Sequence, residues 1–457
     1  MDTSSAPLRR EPLSPAVVTA LIALTSLAAL YLAWPIWRAT LPLQIDVNEA
    51  WNAYHADAIR DSLPLYPDPA GLVINNYPPL SFYMLAALSA VGLDPVYGGR
   101  LISLIALAAL TGAIASLIQQ FRGSGTAAFL GAIWFCATMA RFINSYVGMN
   151  DPSLPAVALM AWGLVWLLRR QARGRAADPA IVLIAIAGFY KHNYLAIPLT
   201  AILWVAISDR WAAVRAAIVG AGAVLIGFAL CIGLYGWVFV QSLLMAREYS
   251  LISALGSLGR LQWIAPALVI VFVWAWNRKG SQAVHFSIIF VAVAFGTCFL
   301  QYLGAGVEDN AQFELIVAAA VGLGFAFDGV AAIPEVPWFT IERQRLTILI
   351  VVIVRLLLSL RTAPYLLVVS PAFRAELRER AAVTQREVAR VAAIPGPAIC
   401  DLDLVCRWAG KPKLFDGFFV AQSVTTGRRT RVQVDRLQQA LGAVHVRVDP
   451  RAFAEWR

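Results

Sequence analysis

Residues 180–207 read AIVLIAIAGFYKHNYLAIPLTAILWVAI, two apolar runs parted by Lys191, His192 and Asn193. Taken as one membrane span, the segment sets a lysine at mid-bilayer, which costs roughly 2.5–3.5 kcal/mol on insertion scales. Taken as a hairpin of two short spans, it lifts Lys191 and His192 to a tip at the membrane surface. The arms, 11 to 14 residues long, are short for a bilayer, so the hairpin requires shielding by other helices.

The rest of the chain repeats the apolar pattern. Hydrophobic blocks run at 16–37, 79–93, 99–120, 125–140, 153–168, 180–207, 212–240, 262–277, 283–303, 312–330 and 343–360. Most have the length that crosses roughly 30 Å of hydrocarbon. Of the 457 residues 60% are hydrophobic and only 14% charged, more apolar surface than a water-soluble fold of this size can hide. The expected fold class is an α-helical polytopic membrane protein of about eleven spans, with interfacial helices in the first outer loop and a small α/β tail.

Basic clusters decide the sides. If 79–93 lies at the interface and 180–207 is a hairpin, then Arg9/Arg10, Arg122, Arg169–Arg175, Arg210/Arg215, Arg278/Lys279 and Arg343/Arg345 share the cytoplasmic face. Crossing by 79–93 would move Arg169–Arg175 outside. A single span at 180–207 would move the three later clusters outside. The net charge of +10 therefore reports topology, and no nucleic-acid partner is expected. The run from Val17 to Trp37 is too long for a signal peptide and reads as a retained first span. Of the five cysteines, Cys136, Cys231 and Cys298 lie in spans as small hydrophobes. Cys400 and Cys406 fall in the tail, where an oxidising compartment permits a disulfide that sequence leaves undecided.

This topology gathers ionisable groups on the outer face: Asp46, Glu49, Asp57, Asp61 and Asp68, then Asn150-Asp151, the Lys191 tip, and Glu308-Asp309-Asn310. Such convergence in a membrane protein marks a candidate site. Residues 40–78 read TLPLQIDVNEAWNAYHADAIRDSLPLYPDPAGLVINNYP, with a helix from Asn48 onward. Asp46 and Glu49, three apart, can face one space at its start. One is a helix cap on the plain reading and a general base on the functional one, beside Trp51 and Tyr54. Asn76 and Tyr77 lead into the interfacial helix, as headgroup anchors or as a groove for a lipid-borne substrate. Lys191, His192 and Asn193 are a polar tip or a phosphate clamp. Arg100 assists them or snorkels. Asp151 is a helix cap, or orients a sugar or a divalent cation together with Glu308 or Asp309. No zinc, P-loop, dinucleotide or serine-hydrolase motif is present in the sequence.

The order of these features resembles the GT-C superfamily of membrane glycosyltransferases, which includes protein O-mannosyltransferases and aminoarabinose transferases. The likeness spans roughly residues 15–330: a first span, a long outer loop with an acidic motif, the PPLSFY segment at 78–83, Arg100 opening the next span, and Asn150-Asp151. It implies transfer of a sugar from a polyprenyl-phosphate carrier to a lipid, glycan or protein acceptor outside the cytoplasm of a bacterial-type inner membrane. In that scheme Glu49 or Asp46 is the base, and Lys191 with His192 holds the carrier phosphate. Relatives often carry adjacent Asp-Glu where this chain has Asn48-Glu49, so the base stays open between Glu49 and Asp46. A divalent metal on Asp151 and Glu308 also stays open. Two domains are expected, a membrane unit at 1–360 and an extracytoplasmic tail at 361–457, the latter without a catalytic constellation. The rival reading is a transporter or flippase, which would place charges near the bilayer midplane and show internal repeats.

Overall fold

The computed structural model describes residues 13–278, 280–330, 339–358 and 364–453. Arg9, Arg10 and Lys279, and the boundary drawn at 360/361, lie outside the described residues.

Helix α1 (Pro15–Arg38) opens on Ser14, whose hydroxyl caps the Val17 amide, with proline at its first position. The first long loop holds α2 (Val47–Arg60) and the short α3 (Leu80–Ala90), and α4 (Pro95–Gln120) follows. Next come α5 (Gly125–Phe142) and α6 (Ser153–Ala172). The opening segment folds as two separate helices, α7 (Asp178–Gly188) and α8 (Ala196–Ser208), with Lys191 between them. The remaining membrane-region helices are α9 (Arg210–Tyr235), α10 (Val238–Leu243), α11 (Leu251–Ser257), α12 (Ala265–Asn277), α13 (Gln282–Tyr302), α14 (Phe313–Gly329) and α15 (Ile341–Leu357).

Among the described residues six helices are long and apolar enough to cross a membrane. A seventh crossing arises if the segments Leu251–Trp263 and Ala265–Asn277, bent by 81°, form one span. The helices α3, α7 and α8 are apolar but shorter, at 11, 11 and 13 residues. A helix apolar all round must be buried in protein or face lipid, and the chain uses both solutions. Helix α14 is enclosed by α5, α12, α13 and α4, whereas α9 packs on α7 and α8 along one side and fully buries only Ala213, Ala216 and Cys231. Close approach of α5 and α14 depends on small residues: a Cβ on Gly131 would strike the Ala320 carbonyl, and one on Gly324 the Ala127 carbonyl.

The tail runs through α16 (Pro371–Ala392), β1 (Ala398–Cys400), α17 (Asp403–Trp408), α18 (Gly417–Thr425), α19 (Arg431–Ala440) and β2 (Val444–Val446). Its two strands pair in parallel, Ile399 opposite His445. Cys400 and Cys406 are disulfide-bonded. The tail is clamped onto the first outer loop. Arg407 donates to Asp57 at 2.7 Å and to Asp94 at 2.9 Å. Trp51 Nε1 donates to Asp416, the Leu404 amide to Gln44, and Arg429 to the carbonyls of Pro69 and Gly71. Apolar contacts reinforce the clamp, with Leu72 and Ile74 packed on Phe419, Val420 and Val434.

Arg407→Met leaves Asp57 and Asp94 without their shared cation. Both acids keep some water, so the expected loss of stability is about 2–3 kcal/mol, below the 3–5 of a fully buried pair. Hydrogen exchange on α17 and α18 should rise in the variant while exchange in α14 stays unchanged.

Candidate active site

Glu49 and Arg100 meet in the interior. Arg100 is 1% exposed and Glu49 0%. The guanidinium donates to both carboxylate oxygens, Nε to Oε1 at 2.8 Å and Nη2 to Oε2 at 2.7 Å. It also donates to the carbonyls of Ala39, Leu41 and Leu43. The carboxylate accepts two amides besides, from Ile45 and Asn150. Arg100 therefore does not snorkel to the surface, and Glu49 has no oxygen free for a substrate. A bidentate pair with both partners fully bonded is the arrangement that offsets desolvation of two charges. Helix α4 carries Gly99 beside Arg100, and a Cβ there would collide with the Asn150 side chain.

Asp46 has a different environment. It is the N-cap of α2, accepting the Asn48 amide through Oδ1 at 2.8 Å, and is half-buried. Burial first, then the charges of Glu308, Asp151 and Glu49, push its carboxyl up to about 7, against the pull of the Asn48 amide. The two residues that follow it, Val47 and Asn48, line a cavity of about 730 Å³ together with Trp51, Asn76 and Tyr77.

Asp151 and Glu308 line the same cavity. Lys191 is a buried cation rather than an exposed tip. Its Nζ lies 3.3 Å from both Asp151 oxygens and 2.7 Å from Ser153 Oγ, over the Tyr77 ring at 4.7 Å. An ammonium taken out of water needs such partners. Glu308 accepts from the Tyr146 hydroxyl at 3.2 Å. His192 is exposed and meets Tyr77 edge-on, ring centres 6.5 Å apart. Three expected residues lie elsewhere. Asn193 donates to Gln301, Asp309 pairs with Arg260 at 3.7 Å, and Tyr54 donates to the Lys411 carbonyl beside a second cavity of about 630 Å³.

Sequence reasoning missed Arg247. It lines the cavity, and its guanidinium has no acidic partner among the described residues, only the Phe418 ring at 5.6 Å. Its charge and that of Lys191 both bear on His192 and Tyr77. The available signal was an arginine between spans on the face otherwise rich in acids. Also missed was Glu314 of α14, whose two oxygens accept the Ala196 and Ile197 amides and so cap α8 from another helix. That contact holds the Lys191 connection in place.

No three His, Cys, Asp or Glu groups among the described residues are arranged to hold a metal ion. Asp151 is paired with Lys191, whose ammonium would repel a divalent cation, so these residues do not fit a metal site.

No family model matches the chain, and no curated protein matches it in sequence. Solved structures match its fold. ArnT from Cupriavidus metallidurans bound to undecaprenyl phosphate is 12% identical, with 91% of each chain covered and a TM-score of 0.58. The same protein in the apo state is 12% identical over 90% of each chain, with a TM-score of 0.56. An Archaeoglobus fulgidus oligosaccharyltransferase, 11% identical over 74% of this chain and 56% of that one, reaches only 0.42 and supports no argument. The chain shares the fold of these two ArnT structures along nearly its whole length.

Glu49→Gln removes the charge that Arg100 requires and is expected to destabilise the protein by about 3–5 kcal/mol. Thermal unfolding in detergent should record the loss, with Arg100→Met giving a similar one and the double variant less than their sum.

Proposed function

We propose that the chain is a membrane glycosyltransferase that moves a sugar from a polyprenyl-phosphate carrier to an acceptor on the extracytoplasmic side, with Asp46 as general base. The observation that carries this reading is one cavity with an unpaired guanidinium in its wall, lined by the residues that directly follow Asp46, a carboxyl poised near neutrality. The shared fold with a protein that binds undecaprenyl phosphate supports the carrier class.

The acceptor hydroxyl gives its proton to Asp46 as its oxygen bonds the anomeric carbon. The bond from that carbon to the phosphate oxygen breaks, and polyprenyl phosphate leaves with the electron pair. Arg247 receives the charge that develops on the leaving oxygen, with His192 and the Lys191 charge nearby. Asp151 and Glu308 orient sugar hydroxyls. Glu49 and Arg100 hold the floor on which Asp46 stands and do no chemistry. The cavity face is extracytoplasmic, and the tail expected at 361–457 belongs to that side, its described residues 364–453 forming a small module over the cavity. The charged residues found here group at that face, which does not favour a transporter.

A base with a carboxyl near 7 is protonated below that pH and idle. Turnover should therefore rise with pH through about 7 and level above it. Asp46→Asn keeps a good N-cap, so stability should hold while turnover falls about 10²–10⁴-fold. The assay is sugar transfer by protein in nanodiscs from a panel of radiolabelled polyprenyl-phosphate sugars. Wild-type turnover in this variant would sink the assignment.

Arg247→Ala should weaken binding of polyprenyl phosphate about tenfold to hundredfold, the worth of a hydrogen bond to a charged group. Titration of the lipid into nanodisc-held protein measures it.

A further inference from the structure

The two short strands divide their residues by period two. Ala398, Cys400, Val446 and Val448 turn inward to the small core of the tail. The opposite face carries Ile399, Asp401, His445 and Arg447, and all four line the 730 Å³ cavity. Parallel pairing aligns them, since Ile399 is opposite His445 and the Asp401 amide donates to the Val446 carbonyl. Asp401 and Arg447 thus stand side by side where the strands end. The carboxyl ends of parallel strands are where open α/β sheets bind ligands.

The polar groups there are not consumed by the fold. The Arg447 guanidinium makes no hydrogen bond or ion pair among the described residues. Asp401 gives one oxygen to the Val448 amide at 2.9 Å and keeps the other. The neighbouring acids are spent: Asp403 on Lys413, Asp416 on Trp51 and the Phe419 amide. Aromatic faces border the same space, from Trp51, Phe415 and the 40% exposed Phe418. A carboxylate beside a guanidinium offers an acceptor and two donors to adjacent hydroxyls, and flat rings take the apolar face of a sugar.

We propose that this strand face is the acceptor subsite, and that Asp401, His445 and Arg447 bind the terminal residue of a saccharide acceptor. The acceptor role rests on the sugar-transfer reading of the cavity. The membrane-side wall then holds the carrier through Arg247, and the C-terminal wall presents the incoming hydroxyl toward Asp46. The disulfide closes a loop that carries Asp401 and Asp403, which fixes the two acids relative to the strands.

The test uses full-length protein in nanodiscs and a panel of methyl glycosides of common hexoses and pentoses, with binding read by saturation-transfer NMR. Polyprenyl phosphate is titrated separately. At least one glycoside should bind wild type saturably, and Asp401→Asn and Arg447→Ala should each weaken it about tenfold or more. Neither variant should change lipid affinity. The proposal is overturned if no glycoside binds wild type, if both variants bind as wild type does, or if a Ser/Thr-rich peptide instead binds with that residue dependence. Failure of polyprenyl phosphate to bind wild type would overturn the transferase reading, and the acceptor role with it. The glycoside titration would still judge the saccharide site.

Discussion

A fully buried ion pair between Glu49 and Arg100 joins three parts of the chain that are distant in sequence. Glu49 begins α2, Arg100 begins α4, and the Asn150 amide closes the carboxylate from the loop before α6. Arg100 also gathers three carbonyls at the end of α1 and the start of the outer loop. Every member of this network is out of water, so removing one leaves the others uncompensated. The outer loop is therefore a fixed structure, and Asp46, Asn48 and Trp51 inherit their positions from it.

Two acids three residues apart have opposite fates because of their surroundings. Glu49 has four donors and a cation, which fully satisfy an ionised carboxylate. Asp46 has one amide, partial burial and three acidic neighbours, so its proton leaves only near neutrality. Charge partition follows the same logic elsewhere in the cavity. Lys191 is committed to Asp151, whereas Arg247 and Arg447 on facing segments keep their donors free. Committed charges build the walls, and uncommitted ones face the space between them.

Much of the candidate site was legible because polarity in a membrane protein is costly and stands out. Lys191 and Asp151 each break an apolar context, and they are found bonded to each other across 40 positions. Glu308, Asn76 and Tyr77 were singled out on similar grounds and line the cavity. Glu49 was singled out as a cap or candidate base and Arg100 as an assisting or snorkelling cation, but their pairing with each other was invisible. Arg247 was passed over because its signal, a basic residue on the acid-rich face, depends on the topology and not on its immediate neighbours in the chain. Asp401, His445 and Arg447 line the cavity only because the tail folds back onto the first loop through Arg407, Trp51 and Gln44.

By itself the sequence determined which segments leave water and where polar residues concentrate. Both follow from the transfer free energy of each side chain, a property counted along the chain. It also singled out Asp46 and Glu49 as the two candidate bases. Only the tertiary structure separates their surroundings, Glu49 enclosed by donors and Asp46 held by one amide, since the state of a buried carboxylate depends on the donors and charges around it in space. Which lysine is spent and which arginine is free was settled the same way, by contacts between residues that the sequence holds far apart.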